Sequence, residues 1–174
     1  MERMLKILND LKGKGIIKDY ALGGATALLF YYSEVTSTYD VDVFAYLPKT
    51  TSGFIDLPRV YQALQEKGYA LKEEHVMIEG IPVQFLSADS NALVEEGVKE
   101  AVVKNFQKVQ TRVIGFEHLL AIMLQTGRPK DKERIGVLLE AGLKFDKNKF
   151  FKILTKHKLK EKWERIIGKT KQED

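Results

Sequence analysis

The sequence predicts an α/β (α+β) fold, in which a small mixed sheet with flanking helices is followed by a C-terminal helical bundle. Two observations support this prediction. Within residues 1–115, short segments of alternating apolar and polar residues are interspersed with segments that have apolar residues at helical spacing. From residue 116 onward, only the helical pattern occurs. We therefore expect an α/β domain over residues 1–115 and a helical region over residues 116–174 that packs on it.

The elements of the first part are predicted from apolar spacing and from the turn residues between them. Gly13 ends the first helix, and Asp56 before Pro58 is typical of an N-cap followed by an early proline. Glu79-Gly80 is typical of a hairpin turn between two short strands. The predicted helices are 2–13, 25–32, 56–67 and 91–101. The predicted strands are 16–22, 39–47, 74–78, 81–86 and 107–114.

The second part is predicted to contain four helices that carry most of the positive charge. These helices are 117–126, about 130–141, 147–156 and 158–167. The net charge of the chain is +4, but residues 144–174 alone hold 11 Lys and Arg against 5 Asp and Glu. Such a basic face could contact nucleic acid phosphates, or it could be a solvated helical surface.

The composition excludes several classes of protein. The chain contains no cysteine, so neither disulfides nor a thiolate metal site are expected. It has no run of about 18 apolar residues, and its N-terminus lacks the apolar core of a secretory signal. With 44% hydrophobic and 30% charged residues, the sequence predicts a globular cytoplasmic protein without a membrane span.

Two aspartates and a glycine pair form the candidate site. Strand residues two apart point to the same face, so Asp40 and Asp42 should present two carboxylates about 7 Å apart to one cleft. Gly23-Gly24 predicts a turn at a helix start, where backbone N–H groups can approach phosphates. Such a set suits a divalent cation bound to the phosphates of a nucleoside triphosphate. The glycines could also form a plain strand-to-helix turn, and the aspartates could lie on the solvated face of an edge strand.

These residues also carry a resemblance to a known family. Gly23-Gly24 followed by Thr38-x-Asp40-Val41-Asp42 resembles the nucleotidyltransferase superfold, the polymerase-beta-like group, and within it the AbiEii-type toxin family. Glu117-His-Leu-Leu-Ala121 and Arg128-Pro-Lys130-Asp131 are similar to later motifs of that family. The resemblance covers roughly residues 17–140 and implies a sheet and helices of the nucleotidyltransferase type.

The resemblance implies a role for each matching residue. Asp40 and Asp42 would be the catalytic carboxylates and would hold Mg²⁺ as cofactor, with Gln84 at the position of a third metal ligand. An RNA or protein acceptor would attack the α-phosphate of the bound nucleoside triphosphate in line, and an antitoxin protein would be a partner. The residues implied in nucleotide binding are Gly23, Gly24, Thr26, Thr38, Arg128 and Lys130.

Four positions depart from the family pattern. Gln84 stands where an acid is usual, and a carboxamide can coordinate a metal through its oxygen but cannot accept a proton. Thr36 and Met123 replace an arginine and a lysine, and Arg134 replaces an aspartate. Two interpretations therefore stay open, an active transferase and a catalytically degenerate member of the fold that binds a nucleotide or a partner. A nucleic-acid-binding module led by the basic C-terminal helices is a third.

Other polar residues also have simpler interpretations. Arg128 could be a C-terminal cation of the preceding helix, and Asp131 could cap the next helix. His75, His118 and His157 lie far apart in the sequence without metal-ligand spacing, so each is expected on the surface or in the core.

Overall fold

The structure is a computed structural model that describes residues 1–32 and 38–170, so Thr36 lies outside the described residues. Within them, the chain forms a mixed seven-stranded sheet and eight helices. The strands are β1 (Tyr20–Leu22), β2 (Val41–Ala45), β3 (Ala70–Lys72), β4 (His75–Ile78), β5 (Ile81–Ser87), β6 (Val102–Phe106) and β7 (Val109–Val113). The helices are α1 (Glu2–Gly13), α2 (Gly24–Leu28), α3 (Leu57–Gln65), α4 (Ala92–Lys99), α5 (Phe116–Thr126), α6 (Pro129–Glu140), α7 (Lys147–Lys156) and α8 (Lys160–Thr170).

The strand order is β3-β4-β5-β2-β1-β7-β6, which places β2 at the centre. β2 runs antiparallel to β1 and parallel to β5, and β1 runs parallel to β7. Hairpins complete both edges, because β3 and β4 form one antiparallel pair and β6 and β7 form another. The predicted mixed α/β architecture is confirmed at this level. The strand predicted over 39–47 is shorter, because β2 begins directly after Asp40 and contains only Asp42 of the two aspartates, and it is not an edge strand.

Two strands, β3 and β6, are absent from the sequence-based prediction, and the same physical reason applies to both. Each is an edge strand joined to its neighbour by a tight turn that lacks glycine at the critical position. Glu73 and Gln107 adopt φ angles of 57° and 53°, in the left-handed region that usually marks a turn through glycine or asparagine. Because neither turn has glycine or asparagine at its left-handed position, the sequence does not indicate a hairpin at either place.

The core lies between the sheet and the helices, and strand alternation decides which side chains enter it. In β2, Val41, Val43 and Ala45 are buried, whereas Asp42 points to the other face. The helices α5, α7 and α8 contact one another, and α5 also contacts α4 and α2. At the junction of α7 and α8, the rings of Phe150 and Trp163 meet edge to face with centroids 4.9 Å apart. Among the described residues, no helix combines the length and apolar character that a membrane crossing requires.

Candidate functional site

The central strands align the predicted polar residues in one row. The parallel pairing of β2 with β5 places Asp42 directly beside Gln84, and the buried Val43 beside the buried Phe85. Residues that face each other across two strands point to the same side of the sheet. The Gln84 side chain therefore lies on the face that carries Asp42.

The Gly23-Gly24 turn packs closely against strand β2 at Asp42 and Phe44. The Gly23 amide donates a hydrogen bond to the Asp42 carbonyl over 2.9 Å. A Cβ atom at Gly24 would lie 1.9 Å from Asp42 Oδ2, and one at Gly23 would lie 2.2 Å from the Phe44 ring. Gly24 also has a φ of 55°, which only glycine adopts without strain. The turn is therefore shaped to seat the Asp42 carboxylate and has no room for any side chain.

Two threonines hold the start of β2. Thr26 Oγ1 donates to the Asp40 carbonyl over 3.0 Å, and Thr38 Oγ1 donates to the same carbonyl over 2.9 Å. Thr38 Oγ1 also lies 3.1 Å from Asp40 Oδ1. Thr26 is almost fully buried, at 1% exposure, and its hydroxyl proton is used within the protein. We therefore place Thr26 as a positioning residue for Asp40 rather than as a nucleotide contact.

Cations from α6 face the two aspartates. Asp131 is fully buried and binds Arg128 through two hydrogen bonds of 2.7 and 3.2 Å. Its Oδ1 also lies 3.7 Å from Nη1 of Arg134. Asp131 thus orients two guanidinium groups and does not cap α6, and Arg128 is the first residue beyond the α5 C-cap Gly127. The position that departs from the family pattern, Arg134, adds a further positive charge here.

The charges in this region act on one another. Burial is the largest cause that raises the pKa of Asp42, and the negative charge of Asp40 raises it further. The positive charges of Arg128, Lys130 and Arg134 lower it. The bond to Asp131 raises the pKa of Arg128, and the charges of Asp42 and Asp40 add to that effect. The two carboxylates therefore repel each other in a partly buried place, and the cations of α6 offset only part of that repulsion.

A cleft of about 480 Å³ opens beside this row. Asp40 lines it directly, with its side chain 48% exposed, whereas Asp42 is not among its lining residues and lies against Gly24. The residues that line the cleft and bear on its chemistry are Thr38, Asp40, His75, Lys130 and Arg134. The structure therefore brings Asp40 together with Lys130, which are 90 positions apart in the sequence.

Sequence analysis missed His75 as a member of this site. The pairing of Val76 with Val83 in β4 and β5, extended by one position, sets His75 beside Gln84 on the same face. His75 Nε2 lies 3.9 Å from Asp40 Oδ2. No local spacing indicated this role, because the strand order, and not the sequence neighbourhood, joins His75 to the aspartates.

Other acidic residues near β5 are occupied elsewhere. Glu79 is exposed and accepts a 3.0 Å hydrogen bond from the Tyr69 hydroxyl. Asp89 pairs with Lys49 at 2.8 Å beyond the far end of β5. Neither is placed as a third acid of the Asp40 and Asp42 site.

A second polar cluster lies between α4 and α5. Ligand atoms of Glu96, Glu100 and His118 lie within 4.8 Å of one another, and the described residues contain no other group of three His, Asp or Glu that converges so closely. Burial opposes ionisation of Glu96, but hydrogen bonds from Lys156, His157 and His118 outweigh it and lower the pKa of Glu96 to about 2. Burial lowers the pKa of His118, because it disfavours the charged imidazolium, and the neighbouring Glu96 and Glu100 oppose that effect.

Comparison with protein-family models and with curated proteins found no match for this chain. The class of the protein must therefore be inferred from its fold and from the geometry of these two sites.

Proposed function

We propose that the protein is a Mg²⁺-dependent nucleotidyltransferase-like protein that binds a nucleoside triphosphate beside Asp40 and Asp42. It would transfer a nucleotide to an RNA or protein acceptor. The observation that carries the proposal is the row of Asp42, Gln84 and His75 across three neighbouring strands, next to a glycine turn and opposite cations. A site for a nucleoside triphosphate needs carboxylates that hold a metal ion and cations that balance the remaining phosphate charge. This face supplies carboxylates and cations.

The donor set fits Mg²⁺. Asp40, Asp42 and Gln84 offer hard oxygen atoms, and Mg²⁺ in nucleotide sites commonly uses one or two carboxylates together with substrate phosphates. Burial and the charge of Asp40 raise the pKa of Asp42, and a bound cation would stabilise its ionised form. When bound, Mg²⁺ would neutralise phosphate charge and polarise the reacting phosphoryl group.

The chain's own cations suit the phosphates. Lys130 is exposed at the cleft as a mobile ammonium group, and Arg134 lines the same cleft. Arg128 is held in a fixed orientation by Asp131. A guanidinium group fixed in this way recognises phosphate oxygens with little loss of side-chain entropy. The Gly23-Gly24 turn contributes only local backbone N–H groups, because α2 is too short for a substantial helix dipole.

His75 supplies the proton acceptor that Gln84 cannot provide. In the proposed step, an acceptor hydroxyl oxygen forms a bond to the α-phosphorus, the bond to pyrophosphate breaks, and the hydroxyl proton moves to a ring nitrogen of His75. Imidazole is the side chain best suited to this transfer near neutral pH. Its position beside Asp40 at 3.9 Å would also stabilise the resulting imidazolium.

Calorimetric titration tests nucleotide binding. Each nucleoside triphosphate is titrated into the natural protein with and without Mg²⁺, and we expect binding only with the metal. Asp42→Asn should weaken binding at least about tenfold, a loss of about 1.4 kcal/mol. Asp89→Asn is the matched control, because it removes the same charge from a surface pair with Lys49. Absence of binding for every nucleotide, or equal binding by both variants, would overturn the proposal.

Incubation with labelled nucleotide and total RNA or protein tests turnover. His75→Gln should lower the transfer rate by about 10²- to 10⁴-fold if His75 is the base. Gln84→Glu should strengthen Mg²⁺ binding and raise the rate, because it adds an anionic ligand beside Asp42. If the protein is the toxin of a toxin–antitoxin pair, its expression should arrest growth and Asp42→Asn should relieve the arrest.

A second candidate is a nucleotide-binding or partner-binding member of the same fold without turnover. The neutral Gln84 beside Asp42 favours it, since the position offers neither charge nor a proton acceptor. Metal-dependent binding without label transfer to any acceptor, unchanged by His75→Gln, would select this candidate over the enzyme.

A further inference from the structure

The second polar cluster is built by close packing of two helices. Glu96 lies on α4, Glu100 is the C-cap residue of this helix four positions later, and His118 lies in the first turn of α5. Gly97 allows the approach, because a Cβ atom there would lie 3.3 Å from both His118 Cβ and Ile114 Cγ2. The two carboxylates and the imidazole thus share one place between the α/β part and the following helices.

His118 is held there without a full set of hydrogen bonds. Its side chain is fully buried. Nε2 lies 3.5 Å from Glu96 Oε1, at the limit of a hydrogen bond, and Nδ1 has no hydrogen-bond partner among the described residues. A buried polar atom without a partner is costly, and such atoms are uncommon in folded proteins. Nε2, the nitrogen that faces Glu96, is thus held only by this one long contact, and it is the atom that would bind a cation.

Lysines at the surface neutralise the two glutamates. Lys156 lies 2.6 Å from Glu96, and Lys149 lies 3.1 Å from Glu100. Lys149 and Glu100 are 39% and 49% exposed, and exposed ion pairs contribute little stability. Lys149 can therefore move into solvent at little cost, whereas a bound cation would replace Lys156 as the positive charge that compensates the largely buried Glu96.

We propose that Glu96, Glu100 and His118 form a binding site for a divalent transition-metal ion, of the kind represented by Zn²⁺. Two carboxylate oxygens and one imidazole nitrogen are a ligand set that Zn²⁺ accepts, with an open position left over. The 3.5 Å between His118 Nε2 and Glu96 Oε1 is close to the ~3.3 Å that separates neighbouring ligands around tetrahedral Zn²⁺.

His157 acts as a positioning residue for this site. Its Nε2 lies 2.9 Å from Glu96 Oε2, while the other oxygen of Glu96 faces His118. This bond fixes the orientation of the carboxylate, as residues behind metal ligands commonly do. The metal would join α4 to α5 in place of the two lysine contacts, so we expect it to stabilise the fold. The site is separate from Asp40 and Asp42 and does not depend on the nucleotide proposal.

Zn²⁺ titration of the full chain tests the site, with calorimetry and thermal unfolding as readouts. We expect a Zn²⁺ ion at Glu96, Glu100 and His118 that is still bound in Asp42→Asn, and a rise in Tm of about 5–10 °C at a hundredfold excess of Zn²⁺ over its Kd. Glu100→Gln should weaken binding at least about tenfold. Glu100 is exposed, so this variant keeps the fold. Glu95→Gln is the matched control, because Glu95 pairs with Lys99 on the same helix outside the cluster.

Two further measurements separate this site from the nucleotide site. Asp42→Asn should leave the rise in Tm that Zn²⁺ binding at this cluster causes, and Glu100→Gln should reduce it to about half or less at the same Zn²⁺ concentration. With Co²⁺ in place of Zn²⁺, we expect the visible absorption band of a Co²⁺ site with a low coordination number. Glu100→Gln should lose this band, and Glu95→Gln should keep it. Equal Zn²⁺ affinity in Glu100→Gln, Glu95→Gln and the natural protein would overturn the proposal, as would loss of all Zn²⁺ binding in Asp42→Asn.

Discussion

Replacement of Gly24 with alanine tests most directly how the fold holds Asp42. The Gly24 φ of 55° lies in the left-handed region, which residues with a Cβ atom adopt only under strain. A Cβ atom on this backbone would lie 1.9 Å from Asp42 Oδ2 and 2.9 Å from Asp42 Cγ. The substitution therefore strains the backbone and also pushes the carboxylate out of its place.

The size of the effect follows from these two contributions. An alanine in the left-handed conformation costs about 1–2 kcal/mol. Movement of the Asp42 side chain away from its rotamer costs a further ~0.5–1.5 kcal/mol. We therefore expect Gly24→Ala to lower the free energy of unfolding by about 2–3 kcal/mol, which lowers Tm by about 5–10 °C in a chain of this size.

Urea and thermal unfolding measure the loss, and Gly15→Ala is the matched control. Gly15 has a φ of 68°, and an added Cβ atom there would meet nothing within 4 Å. Its replacement therefore carries backbone strain alone, about 1–2 kcal/mol. Nucleotide titration with Mg²⁺ should also separate the two variants, because only Gly24→Ala displaces a proposed metal ligand.

A double variant completes the test. In the absence of Asp42 Cγ and Oδ2, the nearest remaining atom of residue 42 to the added methyl group is Cβ at 3.3 Å. Gly24→Ala should therefore cost about 1 kcal/mol less in an Asp42→Ala background than in the natural protein. If Gly24→Ala costs no more than Gly15→Ala and the two substitutions are additive, the carboxylate is not seated against the turn and the described geometry is wrong.

Three other substitutions test the charges. Asp42→Asn should leave Tm equal or higher at about pH 7, with the gain fading toward about pH 4, because burial raises the pKa of Asp42 and its ionised form costs stability above that pKa. A fall in Tm at neutral pH would mean that Asp42 is a structural ion-pair partner. Asp131→Asn should lower the free energy of unfolding by about 1.5–3 kcal/mol in urea titrations, because it weakens the paired hydrogen bonds to Arg128. Glu96, with a pKa lowered to about 2, contributes stability that is present above its ordinary pKa of 4.5 and is lost as the pH falls toward 2. The free energy of unfolding should therefore fall less in Glu96→Gln than in the natural protein as the pH is lowered from 4.5 toward 2. Glu95→Gln should keep the pH dependence of the natural protein.

Local pattern in the sequence was enough to predict much of the molecule. A strand through Asp42 with alternating faces was predicted from the sequence, and in β2 Asp42 lies on the face opposite to the buried Val41 and Val43. Gly23-Gly24 was predicted as a turn at a helix start, and α2 begins at Gly24 with Gly23 as its N-cap. These features depend on the period of side chains along one strand and on backbone angles at one turn, which neighbouring residues in the sequence determine.

The tertiary structure alone decided which distant side chains meet. His75 joins the aspartates because β4 lies next to β5, and strand order does not follow from the pattern of any single strand. Glu96 meets His118 because α4 packs closely on α5 at Gly97, although neither residue has a spacing typical of metal ligands. Local periodicity shows which face of an element is polar, but only the packing of whole elements brings polar faces from different parts of the chain together.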